Sequence, residues 1–392
     1  MLGILTAAFF FNLGQGVLRP SMPLYLQQTF GATYRMVTLI PMVFGAGKWA
    51  ASLPTGHLMD RLGRRRVMVS GLVAIACCDV GSVLAPGYAV FLGWRALAGA
   101  GWAMFGTVAT TAMVDTSAAR RARRVSTLLM AETVGLLLGS AAGGWMYQGL
   151  GPAVPFGFEA ACMLAAAAVV GCGVVPPAPP PAAPRPTRRW RDLVAVLRIP
   201  GVVGMGLVGA GLIAVQTGVI VFLLPLYLLD RAGLDPATVG LLVSVGVLGR
   251  LLALVVAGSV AEPEHRRRGL RVGLGAYAVL LAGVTFLAGP VLLGLWSLAL
   301  GAAAGFVGPM PAAIVGDVVA PPERARAIGW LRTMTDTGQI LGPLVLGTLA
   351  DAAGITASFV AGAALLAAAA GVTIGPSRAR PAGGATASPR PR

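Results

Sequence analysis

The chain has 392 residues, of which 56% are hydrophobic and only 11% charged, with a mean hydropathy of +0.80. A soluble globular domain carries about 25% charged residues, so this composition excludes one and points to a polytopic helical membrane protein. The formal net charge is +16, but 23 of the 30 Lys and Arg lie in five alternate loops and the C-terminal stretch, which excludes a nucleic-acid surface as the reason for it.

Apolar runs bounded by charged residues, Gly or Pro predict spans at 2–27, 36–59, 67–85, 88–114, 125–148 and 156–175. Runs of about 20 residues are long enough to cross a hydrocarbon layer roughly 30 Å thick. The first run continues through Arg19-Pro20 to Leu26 with no basic leader or small-residue cleavage site, so it is expected to stay as the first span. The run Pro176-Pro177-Ala178-Pro179-Pro180-Pro181, followed by Arg188-Arg189-Trp190-Arg191, predicts a semi-rigid linker with a short amphipathic surface helix near 189–198. Six more spans follow at 201–229, 236–260, 269–288, 290–317, 326–349 and 353–375, and then a Pro-, Ala-, Gly- and Arg-rich tail expected to be disordered. The expected organisation is a helical bundle over 1–175, a linker over 176–200, a second bundle over 201–375 and a tail over 376–392.

The basic clusters at 61–66, 120–124, 185–198, 266–271 and 324–326, with the tail, follow the positive-inside pattern. Both termini are therefore expected in the cytoplasm, with anionic lipid beside the basic loops. The preference for Arg over Lys, with abundant Ala and Gly, points to a GC-rich bacterial source and so to an inner membrane. Cys77, Cys78, Cys162 and Cys172 all lie in apolar runs without metal-ligand spacing, and they read as packing residues.

The chain repeats itself. Pro23-Leu24-Tyr25-Leu26 returns as Pro225-Leu226-Tyr227-Leu228, an offset of 225 − 23 = 202. Gly47-Lys48 returns as Gly249-Arg250, Asp115 as Asp317, and the Gly56–Arg66 stretch as a degraded Gly258–Arg268, all at the same offset. After one extra loop residue, Gly135 and Gly139 correspond to Gly338 and Gly342, an offset of 338 − 135 = 203. Register held through polar positions predicts two similar halves with the functional cleft between them.

Arg19, Lys48, Asp79, Arg95, Glu132, Arg250, Arg332 and Asp336 fall inside apolar runs. Unpaired at mid-span, eight such charges would cost on the order of 20 kcal/mol, so they must pair or face a wet cavity. Lys48, the only lysine, stands 60 − 48 = 12 residues before Asp60, so about 18 Å along the helix. Lys48 and Arg250 are thus candidates for a substrate cavity, together with Asn12, Gln15 and Gln216, polar groups that lipid does not tolerate. Asp336, Glu132 and Asp79 are the candidate proton carriers; the competing reading is a fixed ion pair with Arg332, Arg95 or Lys48. Asp115 and Asp317, at span ends, read as partners of loop arginines.

The stretch Gly56-His57-Leu58-Met59-Asp60-Arg61-Leu62-Gly63-Arg64-Arg65-Arg66 resembles the signature of the major facilitator superfamily between its second and third spans. Arg95-Ala96-Leu97-Ala98-Gly99-Ala100-Gly101 resembles the fourth-span motif, with Ala98 where Gln is usual. Gly135-Leu136-Leu137-Leu138-Gly139-Ser140-Ala141-Ala142-Gly143-Gly144 resembles the fifth-span motif of the drug:proton antiporter branch, with Ser140 in place of its Pro. The Pro form stands instead in Gly338-Gln339-Ile340-Leu341-Gly342-Pro343. The likeness covers nearly the whole chain. It implies an all-α membrane protein of twelve transmembrane helices in two pseudo-symmetric six-helix bundles, working by alternating access.

The resemblance further implies that Gly56, Asp60, Arg61, Gly63 and Arg64 form a latch holding the halves together on the cytoplasmic side, against the N-terminus of span eleven. A carboxylate there gains roughly 0.3–1 kcal/mol from the helix dipole; the plainer reading is a basic loop that sets topology. Gly135, Gly139, Gly143, Gly144, Gly338 and Gly342 permit close helix approach, either as ordinary packing or at the moving interface between halves. Arg95 is implied to take part in proton translocation. The leading function is efflux of amphipathic or drug-like molecules coupled to proton entry. The alternative is import of a small anionic or zwitterionic metabolite, with Lys48, Arg95 and Arg250 as its basic site. The expected partners are a small-molecule substrate, protons and the bilayer; a monomer with no cofactor and no metal is expected. An intramembrane enzyme is disfavoured because His57 and His265, the only histidines, sit beside Arg clusters at span ends.

Overall fold

A computed structural model describes residues 2–114, 118–173, 201–259, 263–319 and 323–373. They form twelve helical rods and, among the described residues, no strand. The first six are α1 (Leu2–Phe30), α2 (Tyr34–Leu62), α3 (Arg64–Val83), α4 (Tyr88–Val114), α5 (Ala118–Leu150) and α6 (Val154–Cys172). The second six are α7 (Val202–Asp230), α8 (Pro236–Ser259), α9 (Pro263–Gly283), α10 (Pro290–Val318), α11 (Arg324–Ala353) and α12 (Ile355–Val372). Each predicted span is one rod. The expected linker, its surface helix and the tail lie outside the described residues, as do Asp115 and the side chain of Asp60.

Nine rods are long and apolar enough to cross a membrane on composition alone, among the described residues. The other three are α2, α4 and α11, which carry Lys48, Arg95 and the pair Arg332 and Asp336. Rods α5 and α9 start six or seven residues earlier than the apolar pattern predicts (118 against 125, 263 against 269), because Ala and Arg are strong helix formers and extend the rods into the basic loops.

Two junctions show how the sequence sets the turns. Gly63 alone joins α2 to α3; its φ of 80° lies in the left-handed region, and its N–H bonds back to Met59 O. A side chain there would be strained, which gives this glycine of the signature a structural reason. Asp235 caps α8, accepting from the Thr238 hydroxyl at 2.6 Å and the Thr238 N–H at 3.1 Å, with Pro236 at the first helical position. Those two bonds hold the exposed Asp235 carboxyl below the usual carboxylate range.

Within the first half α1 packs on α5 and α6, α3 on α4 and α6, and α2 on α4; in the second, α7 packs on α11, α8 on α10, and α9 on α12. The repeat is visible in the closest approaches. A Cβ on Gly47 would strike Ala96 O and one on Gly99 would strike Phe44 O; on Gly249 and Gly301 it would strike Leu298 O and Gly246 O. The offsets 298 − 96 = 202 and 246 − 44 = 202 match those of the sequence.

The halves meet along α2–α11 and α5–α8. At the end carrying the α1–α2 loop, Gly144 of α5 lies against the backbone of Pro236 and Gly240 on α8, while Gly347 of α11 lies against Thr38 on α2. Each half also caps a helix of the other. Gln148 Oε1 accepts from Ala237 N–H at 3.0 Å, and the Asp351 carboxylate accepts from Tyr34 N–H at 2.8 Å and Arg35 N–H at 3.1 Å. Since 351 − 148 = 203 and 237 − 35 = 202, this closure is one device used twice.

Candidate functional site

Three polar clusters interrupt the apolar interior. The first lies inside the N-terminal half. Arg95 Nη2 on α4 sits 2.7 Å from Asp79 Oδ1 on α3, and the guanidinium donates to Ser82 Oγ at 2.9 and 3.1 Å. The Phe91 and Phe156 rings flank it, each 5.7 Å from the guanidinium carbon. On α6, Glu159 takes a 2.5 Å hydrogen bond from Gln15 Nε2 of α1 and reaches toward Asp79. Asp79 and Glu159 are both 0% exposed and Arg95 is 3% exposed. One oxygen of each carboxyl, Asp79 Oδ2 and Glu159 Oε2, has no hydrogen-bond donor. The cluster thus holds two carboxyl groups, one guanidinium and two orphaned acceptors.

The second cluster lies across the seam. Lys48 of α2 stacks its ammonium 4.3 Å from the centre of the Trp102 ring and feels both Asp336 and Arg332 of α11. Lys48, Arg332 and Asp336 line a cavity of about 230 Å³ with Thr107 and Gln339. No salt bridge within 4.0 Å joins Lys48 to Asp336, so the attraction acts through a cavity wide enough for several waters.

The third cluster lies between α1 and the C-terminal half. Arg19 and Arg250 are near enough to repel each other, and they line a cavity of about 50 Å³ with Gln216, Tyr277 and Ser297. Arg250 is surrounded by protein at longer range, yet its side chain is open to the cleft. Gln216 belongs to a π-helical stretch, Val215–Leu223, within α7. Such wide turns recur where a helix serves a site.

The sequence candidates divide among these places. Arg95 and Asp79 form the buried pair, Gln15 joins them, and Lys48 and Asp336 share the seam cavity. Gln216 and Arg250 share the third. The basic site expected from Lys48, Arg95 and Arg250 does not form: the three occupy separate clusters, because Arg95 is tied to Asp79 and points into its own half. Asn12 donates to Ala8 O of its own helix at 3.0 Å. Glu132 on α5 is partly exposed and, among the described residues, has no hydrogen-bond or ion-pair partner. Asp317 pairs with Arg266 at 2.7 Å, the loop-arginine partnership its position suggests.

The glycines also divide. Gly135, Gly139 and Gly143 lie against Phe9, Leu13 and Val17 of α1, and Gly338 and Gly342 against Ala210 and Ala214 of α7, all inside one half. Of these six only Gly144 reaches the other half; its repeat counterpart, Gly347 (347 − 144 = 203), does the same and is absent from the sequence candidates. In the signature loop, Arg61 and Gly63 are exposed, Arg64 is buried, and a side chain at Gly56 would meet open space. Glu159 is absent from the sequence candidates although it stands in the predicted span 156–175; the rule that flags acids inside apolar runs would have found it. Tyr277 and Ser297 carry no such signal, since a lone hydroxyl in an apolar helix is ordinary.

Twelve helices in two repeated halves with ionisable groups at their seam define a helical membrane protein of the two-bundle kind. The Major Facilitator Superfamily profile matches residues 4–235 and 206–391, and the chain belongs to that family. An MFS-type transporter of Escherichia coli, YcaD, is 29% identical over 139 residues, which are 35% of this chain. The chain spans about a third (36%) of the length of that curated relative. Among solved structures, the nucleoside transporter NupG superposes with a TM-score of 0.78 at 15% identity, covering 95% of this chain and 97% of that one. The human organic anion transporter MFSD10 gives 0.70 at 18% identity, covering 95% and 98%. A D-xylose–proton symporter gives 0.75 at 14%, covering 95% and 97%. At these identities the likeness is one of fold.

Proposed function

We propose that this transporter is coupled to protons and exports small amphipathic molecules as protons enter, by alternating access across the bacterial inner membrane with both termini in the cytoplasm. The buried Asp79–Arg95–Glu159 cluster carries the reading. With both carboxyls ionised it holds one uncompensated negative charge in a dry interior, which is costly. One proton between Asp79 Oδ2 and Glu159 Oε2 balances the charge and supplies the donor that both oxygens lack. Gln15 links this proton to α1, the helix that also carries Arg19 to the third cavity, so loading and release are coupled to movement of α1. Asp336, beside Lys48 at the seam, and Glu132 are the further groups through which a proton reaches the cleft.

The basic loops put the Gly144–Gly240 and Gly347–Thr38 closure on the outer side, so the arrangement is the inward-facing state. Gly56, Asp60, Arg61, Gly63 and Arg64 then serve as the latch that engages when the inner side shuts. The efflux direction rests on the Arg95 and Gly135–Gly144 motifs. Import of a small anionic metabolite is the second reading, and the facing Arg19 and Arg250 favour it.

Vesicles reconstituted with the protein and given pH gradients of either polarity test the reading. Substrate exit driven only when protons move inward supports antiport. Substrate entry driven by the same gradient selects import, and transport indifferent to both gradients refutes proton coupling.

A further inference from the structure

We infer that the cavity between Arg19 and Arg250 is a binding site for the anionic head of an amphipathic organic acid, with Tyr277 and Ser297 as its neutral donors. The inference deepens the transport reading by naming a substrate class, and it rests on that reading only in taking the bound molecule to be cargo.

Two arginines, one from each half, line the same cavity, and no Asp or Glu lines it. Neither arginine has an ion-pair or hydrogen-bond partner among the described residues. Like charges brought together in this way are stabilised by water or by an anion between them. Two further donors are left idle at the same wall: Tyr277, 1% exposed, and Ser297, 3% exposed, whose hydroxyls have no hydrogen-bond partner. Buried hydroxyls are almost always satisfied, so a pair of orphans lining one cavity marks a place for an acceptor. Arginine forks suit the planar, two-oxygen geometry of a carboxylate, sulfonate or phosphate.

The size and the remaining walls narrow the class. A cavity of about 50 Å³ admits a small head group rather than a whole metabolite. Ile220, Val221, Leu224 and Leu242 border it, so the atoms next to the head are apolar. A sugar or a nucleoside, with hydroxyls all round, would leave donors and acceptors unpaired against these side chains. An acid with a hydrocarbon or aromatic body fits both parts. Arg19 and Arg250 belong to different halves, so the bound anion also bridges the parts that must move.

The test is a binding measurement on purified, delipidated full-length protein, without any gradient. The probes are 4-phenylbutyrate, octanoate, naphthalene-2-sulfonate and phenyl phosphate, each set beside its uncharged amide, sulfonamide or alcohol. At least one acid is expected to raise the melting temperature while its neutral partner does not. Arg250→Gln is expected to weaken that binding about tenfold or more, and Tyr277→Phe, a milder change that keeps the fold, about threefold. Equal binding of acid and neutral forms, no stabilisation by any acid, or binding unmoved by both variants would overturn the site. An added arm with phosphatidylglycerol separates the sources of the anion. Lipid that competes with a bound soluble acid is consistent with the site, whereas stabilisation by the lipid alone overturns the cargo assignment. Acid binding that survives while vesicles show no proton-driven transport would refute the coupling reading and leave this site standing.

Discussion

The two halves share one helical scaffold and treat charge in opposite ways. In the N-terminal half the charges at the heart of the bundle are closed on themselves: Arg95 is held by Asp79 and Ser82, with Glu159 and Gln15 completing the shell. At the repeat-equivalent place in the C-terminal half, position 95 + 202 = 297 is Ser297 and position 79 + 202 = 281 is Leu281. The cation there is Arg250, the counterpart of Lys48, and it opens onto a cavity with two idle hydroxyls beside it. Duplication preserved the crossings, glycine on carbonyl, while the polar groups between them diverged. One half keeps its charges paired away from water, while the other leaves its cation open to the cleft.

The largest expected effect tests that contrast through stability. Arg95→Leu strands Asp79 and Glu159 without their cation and is expected to cost about 3–5 kcal/mol. Adding Asp79→Asn should recover much of the loss, because the two act as a unit. Arg250→Gln relieves a repulsion and breaks no pair, so the denaturation midpoint in detergent should not fall. Equal losses from both arginines would erase the distinction.

The seam offers a smaller effect. Gly144→Val forces a side chain against the Pro236 and Gly240 backbone, an overpacking of roughly 1–3 kcal/mol carried only by the closed arrangement. Populations should then shift by about 5–150-fold away from it. A cysteine placed at Thr38, which is fully buried there, should react faster with an impermeant maleimide in that background. The smallest effect is at the cap. Asp351→Ala removes the acceptor for Tyr34 and Arg35 N–H, about 0.5–2 kcal/mol, and amide exchange in the first turn of α2 should quicken.

Much of this arrangement was legible in the sequence. Twelve rods followed from apolar runs, and the two-half build followed from Pro23–Leu26 and Gly47-Lys48 recurring in register. Depth in the membrane also flagged Lys48, Arg95, Arg250 and Asp336 as groups needing company. What the sequence could not supply was the identity of that company. Arg95 finds Asp79 one helix away and Glu159 two helices further on, while Arg250 finds Arg19 in the other half. Such pairings depend on which helix faces are turned inward, and mean hydropathy carries no information about that. Gly347 shows a related limit: the offset of 203 pairs it with Gly144, but its contact with Thr38 across the seam appears only in the closed interface.

The most direct test of the division of labour is transport in vesicles by Glu159→Gln and Arg250→Gln, using whichever soluble acid binds best. The account predicts that Glu159→Gln loses proton-driven accumulation yet still exchanges labelled for unlabelled acid at equal pH, whereas Arg250→Gln loses both. Full proton-driven accumulation in Glu159→Gln, or unimpaired exchange in Arg250→Gln, would contradict it.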